Sequence, residues 1–255
     1  MKIRKLQQLK QKRKIVCLTA YTKSMAQNVD QFCDLILVGD SMGTALYGMK
    51  NTHSVNMSMI INHAKSVRLG TSKSALVVDM PFKTYGNAKQ ALKNAKLIMK
   101  QTKCDAVKLE SNGKNYSIIK NLVKNKIPVM GHIGYTPQNK KKFKPEGITT
   151  REQLKLLNES KKIEQAGSFS IVLECVSTKT AKQITEELKI PTIGIGSSKY
   201  CDGQVLVTED LLGLSGFKPK FVKKYNNLNQ KIKKNIKKFS EDVIKKRFPN
   251  KKHEF

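Results

Sequence analysis

The sequence predicts an α/β fold, a (β/α)8 barrel, and three observations carry that expectation. Short apolar runs recur along the chain, too brief for helices and without the polar alternation of a half-wet strand, as strands buried on both faces require. Eight such runs can be counted, most of them separated by stretches with helical apolar periodicity, the order that builds a parallel barrel. The length, 255 residues, fits one such barrel.

Taken in order, the basic start MKIRKLQQLKQKRK reads as an exposed first helix over about 3–13, because it lacks serine and runs directly into a strand, unlike a transit peptide. The first strand is 15–19, and a helix over 24–32 leads to the second, 35–39. Val55, Met59, Ile60 and Val67 form one helical stripe ahead of the third strand, 75–79. Asn87 is placed to cap a helix with Ala91, Leu92, Ala95, Ile98 and Met99 on its buried face, which delivers the fourth strand, 106–110. The fifth strand is 127–131. Thr150 with Gln153 reads as a capping box, opening a helix that Gly167 closes before the sixth strand, 170–174. Ala181, Ile184 and Leu188 give the next helix its stripe, and 192–195 and 204–207 are strands seven and eight. The link 196–202 is too short for a crossover helix. Tyr225, Leu228, Ile232, Ile236, Phe239 and Val243 at helical spacing predict extra C-terminal helices over about 219–255, packed outside the barrel within a single domain, 1–255.

A formal charge of +30 raises the question of nucleic acid, yet all but Arg4, Arg13, Arg68, Arg151 and Arg247 of the 49 basic residues are lysines. Specific recognition favours the planar guanidinium, and these lysines spread over nearly every helix, so solvated faces with weak polyanion attraction are expected, not a specific nucleic-acid site. No apolar run approaches the roughly 20 residues of a bilayer span, so no membrane partner is expected. Five cysteines, with no C-x-x-C spacing, suit a reducing cytoplasmic setting.

The strand ends carry the chemistry. Asp40 closes LILVGD, Asp79 closes ALVVD, Glu110 closes DAVKLE, His132 closes IPVMGH and Glu174 closes FSIVLE, all at the face where barrel active sites form. Lys108 and Glu110, two apart, share a face. Asp40, Asp79 and Glu110 offer hard oxygen ligands suited to Mg²⁺ and not to zinc; helix capping or lysine pairing is the alternative for each acid. Glu174, between apolar SIVL and Cys175, is a partly desolvated carboxylate of the kind a general base uses. His132 either donates a hydrogen bond in the site or fixes its own loop. His53, His63 and His253 read as structural or surface residues, and GIGSS alone is a weak sign of a phosphate cradle.

LTAYT, LILVGDSMG, MIINHAKSVRLG, VVDMPF, DAVKLE, PVMGHIGYTPQ, IVLECV and CDGQVLV together resemble the ketopantoate hydroxymethyltransferase family, from the first strand nearly to the end. The resemblance implies a TIM barrel of the phosphoenolpyruvate/pyruvate type and an early step of pantothenate synthesis. That step is transfer of a hydroxymethyl group from the co-substrate 5,10-methylenetetrahydrofolate to 3-methyl-2-oxobutanoate. It further implies one Mg²⁺ per subunit held by Asp40, Asp79 and Glu110; Ser41, Lys108 and His132, with Asp40 and Asp79, at the keto acid; Glu174 as catalytic base; and a homo-oligomer, commonly a decamer. After the TPQ turn this chain has KKFKPEG where the family has GGYKVQG, so loop 138–147 is expected to form a stiffer lid with weaker folate handling. Two rival readings are a folate-independent C–C lyase or mutase of the same barrel type, and a polyanion-binding protein without catalysis.

Overall fold

The computed structural model describes residues 2–140, 143–216 and 219–255. Lys141 and Lys142, within the lysine-rich loop singled out above, lie outside the described residues. Eight parallel strands close into a barrel in chain order: β1 (Ile15–Thr19), β2 (Leu35–Val38), β3 (Ala75–Asp79), β4 (Ala106–Lys108), β5 (Val129–Gly134), β6 (Ser170–Glu174), β7 (Thr192–Ile195) and β8 (Gly203–Leu206). Helices α1 (Lys2–Gln8), α2 (Lys23–Val29), α3 (Met42–Ala45), α4 (Met57–Arg68), α5 (Ala88–Thr102), α6 (Tyr116–Lys124), α7 (Thr150–Gln165) and α8 (Thr178–Glu187) precede or link the strands. As expected, the link 196–202 between β7 and β8 forms no helix.

Several boundaries differ from the sequence reading for local reasons. α1 stops at Gln8, not near 13, where turn bonds from Leu9 and Lys12 and a left-handed Gln11 (φ 61°) break the helical ladder. β5 starts and ends later than the apolar run, because pairing with β6 continues through His132↔Val172 to Gly134↔Glu174. The capping box belongs to Thr149 and Glu152, one residue before the expected pair, with both reciprocal bonds formed. Glu152 serves the N-terminus better than Gln153 because its charge also meets the helix dipole. Asn87 caps α5 as expected, accepting from the Gln90 N–H.

Strand parity divides the core. Ile36, Val38, Leu76 and Val78 face outward and pack with the helices, for example against Ile60, Ala64 and Ile98. Leu35, Leu37, Ala75, Val77, Ala106, Met130 and Val172 form the barrel interior. Leu6 of α1 joins that interior cluster, with Ile3 and Leu9 packed against it, so the first helix is anchored by an i, i+3 stripe. Lys10 fastens the same segment through a 2.7 Å ion pair to buried Asp202.

The chain divides into two compact units, 1–207 and 208–255. The second holds α9 (Thr208–Leu211) and α10 (Leu228–Ile244), the latter capped by Asn227. Ile232, Ile236, Phe239 and Val243 stay exposed on α10. Among the described residues no helix is long and apolar enough to cross a membrane. All five cysteines are free and buried.

Candidate active site

The parity that builds the interior also selects the site. Inward-facing Ala75 and Val77 are followed by Asp79, Ala106 by Lys108, Met130 by His132 and Val172 by Glu174. These four polar side chains therefore stand one layer above the apolar interior, at the carboxyl ends of their strands. The next inward position after Leu37 is Gly39. A Cβ there would lie 2.8 Å from the Ser41 hydroxyl and 3.4 Å from Asp79 Oδ2, so the glycine leaves room for both. Asp40 and Ser41 follow in the turn into α3. Glu110 lies just past β4, but ladder-type bonds from Leu109 to Met130 and from Ser111 to His132 continue the strand's course, and Glu110 is buried.

The site residues form one connected cluster. Lys108 Nζ lies 2.7 Å from Asp79 Oδ1, across the β3–β4 register, while Asp79 Oδ2 accepts the Asp40 N–H at 3.1 Å. His132 stands between two acids, Nε2 being 3.2 Å from Glu174 Oε2 and Nδ1 3.8 Å from Glu110 Oε1. The side chain of Glu174 is 17% exposed, against 3% for Asp79 and 2% for Glu110, so it is the carboxylate that reaches the opening. The Ser41 hydroxyl lies 2.8 Å from the Tyr21 phenol and makes no cap to α3.

Electrostatics describe a mouth short of positive charge. Four carboxylates share, among the described residues, the single ammonium of Lys108. Burial, and after it the charge of Asp79, lifts Asp40 to about 7; burial and then Asp40 hold Glu110 well above the usual carboxylate range. Burial alone would lower Lys108, but Asp79, Asp40 and Glu110 overcome it and push the ammonium up to about 12. Burial lowers His132, which keeps its imidazole neutral near pH 7 despite Glu174. An oxygen-seeking cation would relieve the crowded acids. Among the described residues no three His, Cys, Asp or Glu side chains converge closely enough to cage an ion. The oxygen donors of Asp40, Asp79 and Glu110 fit an ion such as Mg²⁺, which takes one or two carboxylates and completes its shell with water and substrate oxygens, better than they fit zinc.

Sequence reasoning missed the residues that tie this cluster to the surrounding loops. Gln138, buried in the turn after β5, donates from its side chain to Asp40 Oδ2 (2.7 Å) and from its backbone to Glu110 Oε2 (2.9 Å). Tyr85 donates to the Gln138 side chain, and His53, stacked on Phe82, meets the Gln138 carbonyl at 3.2 Å. His63 joins the Tyr21 carbonyl to the Tyr47 hydroxyl. His53 and His63 are thus structural, as the sequence suggested. The signal for Gln138 was the TPQ turn, which lies in a loop where no periodicity points to a face.

A family model described as ketopantoate hydroxymethyltransferase matches residues 1–251. A 3-methyl-2-oxobutanoate hydroxymethyltransferase of Pelagibacter ubique (strain HTCC1062) is 54% identical over 246 residues, covering 96% of each chain. One from Rhizobium etli is 45% identical over 246 residues, covering 94% of this chain and 90% of the relative. Among solved structures, a phosphoenolpyruvate phosphomutase from Streptomyces platensis subsp. rosaceus aligns with TM-score 0.64 at 12% identity, over 95% of this chain and 88% of that one. A phosphonopyruvate hydrolase in complex with oxalate and Mg²⁺ aligns with TM-score 0.63 at 11% identity, over 99% and 93%. At such identities the two structures speak for the barrel fold alone.

Proposed function

The chain belongs to the ketopantoate hydroxymethyltransferase family, and from that premise we propose that it transfers a hydroxymethyl group from 5,10-methylenetetrahydrofolate to 3-methyl-2-oxobutanoate, forming 2-dehydropantoate in pantothenate synthesis. The observation that carries the reading is the 3.2 Å approach of His132 Nε2 to a partly exposed Glu174 beside a buried, cation-deficient cluster of acids.

In this reading Asp40, Asp79 and Glu110 would hold Mg²⁺. The ion, when bound, supplies Lewis-acid stabilisation of negative charge developing on the keto oxygen of the substrate. Lys108, charged well beyond neutral pH, offsets the substrate carboxylate, and the Ser41 hydroxyl orients it. Glu174 takes the proton from C3 of the keto acid. His132 steadies that carboxylate from 3.2 Å and remains uncharged while doing so. The C3 carbon so freed attacks the methylene carbon carried by the folate as one C–N bond of the bridge breaks, and water then displaces the remaining nitrogen, supplying the hydroxyl oxygen and releasing tetrahydrofolate. The apolar interior beneath the polar layer keeps water from the opposite side.

The same reading extends to a cytoplasmic homo-oligomer, decameric in form. The free cysteines support a reducing compartment. Light scattering of the purified chain tests the assembly. The activity itself is tested by 2-dehydropantoate formation with and without methylenetetrahydrofolate, and with and without a chelator. Product only when both folate and divalent ion are present is expected. Turnover of the keto acid without folate would replace this reading with a lyase or mutase.

A further inference from the structure

Gln138 has a bonding pattern that a loop residue needs only if its position matters. Both protons of its side-chain amide are used, one by Asp40 Oδ2 at 2.7 Å and one by the Met80 carbonyl at 3.1 Å. The amide oxygen accepts from Tyr85. Its backbone N–H goes to Glu110 Oε2, and its carbonyl faces His53 Nε2. The neighbouring Asn139 adds a second bond to Glu110 Oε2, at 3.3 Å. One residue thus joins the ends of β2, β3, β4 and β5, its side chain touching Asp40 and its backbone N–H touching Glu110.

The far end of the same loop is fastened beside Glu174. Glu146 donates its N–H to the Cys175 carbonyl and accepts from Ser177, and the Gly147 carbonyl accepts from the Ser177 and Thr180 hydroxyls. Lys140 bonds the Gly134 carbonyl and the Glu146 carboxylate. Gln138 is thus fastened at the acid cluster, and Glu146 and Gly147 beside the carboxylate that reaches the opening.

We propose that Gln138 is the positioning residue of this site, orienting Asp40 and Glu110 and, through the same bonds, latching the turn 138–140 to the acid cluster. This rests on the reading of Asp40 and Glu110 as part of the metal and keto-acid mouth. An amide fits this position because it neutralises no charge and donates to Asp40 while accepting from Tyr85, so the acids remain available to a cation. A carboxylate there would add a like charge, and an aliphatic side chain would leave Asp40 Oδ2 without its donor. Partners of this outer kind change metal affinity by roughly 10–100-fold when removed.

The test compares the parent with Gln138→Met and Tyr85→Phe in two measurements. The first is calorimetric titration of Mg²⁺ in the presence of 3-methyl-2-oxobutanoate, without folate. The second is trypsin cleavage after Lys140 in metal-free protein, mapped by mass spectrometry. Gln138→Met should weaken Mg²⁺ binding at least about tenfold and speed cleavage after Lys140. Tyr85→Phe, which removes one hydroxyl and leaves the fold intact, should act in the same direction more weakly, and should add nothing in the Gln138→Met background. A residue that merely filled space would lower the melting temperature without this non-additivity. Parent-like Mg²⁺ affinity together with parent-like cleavage overturns the proposal, as do strictly additive effects of the two substitutions. If the parent itself binds no Mg²⁺ with the keto acid, the underlying reading fails, and the metal-free cleavage rates still decide whether Gln138 latches the turn.

Discussion

Lys108→Met removes the ammonium at the centre of the acid cluster while keeping much of its length and apolar volume. The rise of the Lys108 pKa from 10.5 to about 12 corresponds to about 2 kcal/mol favouring the charged form in the folded state. Because the pKa is raised, that contribution is complete below about pH 10 and fades as the pH climbs through about 12, so it is fully present at neutral pH. The substitution costs more than this. It strands Asp79, 3% exposed and 2.7 Å from the lost nitrogen, without its counter-charge. Removing one partner of a buried pair costs about 3–5 kcal/mol, or roughly 6–20 °C in melting temperature for a domain of this size. Urea unfolding near neutral pH measures it. Adding Asp79→Asn to Lys108→Met should restore at least about 1–2 kcal/mol, since the stranded charge is gone. A loss below about 1 kcal/mol, or a double variant whose effects simply add, would refute the view that this ion pair holds the strand ends together.

Three further outcomes follow from single positions. Asp79→Asn should weaken Mg²⁺ binding in calorimetry, because it removes one negative charge from the ligand set; unchanged affinity counts against the assignment. Gly134→Ala should lower both stability and activity, since φ is +92° there and a Cβ would stand 2.2 Å from the Glu174 carbonyl oxygen; a parent-like melting curve contradicts this. Asp30 is buried, which favours its neutral form, but amides of Lys73, Ser74 and Ser72 and the Ser72 hydroxyl hold it well below the usual carboxylate range. Asp30→Asn should therefore cost about 1.5–3 kcal/mol at neutral pH, and the gap from the parent should narrow progressively below about pH 4; a gap independent of pH argues against it.

The residues at strand ends were legible because two simple periodicities coincide there. A strand buried on both faces announces itself as an apolar run, and the first polar residue of inward parity must emerge at the mouth, as Asp79, His132 and Glu174 do. Glu110, two beyond Lys108, was legible by the same rule although it sits just past its strand, whereas Asp40 follows the inward Gly39 and was legible only as the first acid after the apolar run. Gln138 was not, because its position depends on how a turn folds back over two other loops, which no local pattern records. The pairing of Lys108 with Asp79 likewise depends on strand register, and the sequence offered only the expectation that both face inward. The shift of the capping box to Thr149 turns on two adjacent threonines that both satisfy the spacing rule.

The central claim is that Glu174 removes the C3 proton of the keto acid. With Mg²⁺ and 3-methyl-2-oxobutanoate present and folate omitted, the parent should exchange that proton with deuterated solvent, followed by proton NMR. Glu174→Gln keeps the shape and removes the basicity, so exchange should fall by about 10²–10⁴, while calorimetry still detects bound keto acid held by Lys108 and the metal. A Gln variant that binds the keto acid and exchanges as fast as the parent would contradict the account and move the role of base to His132.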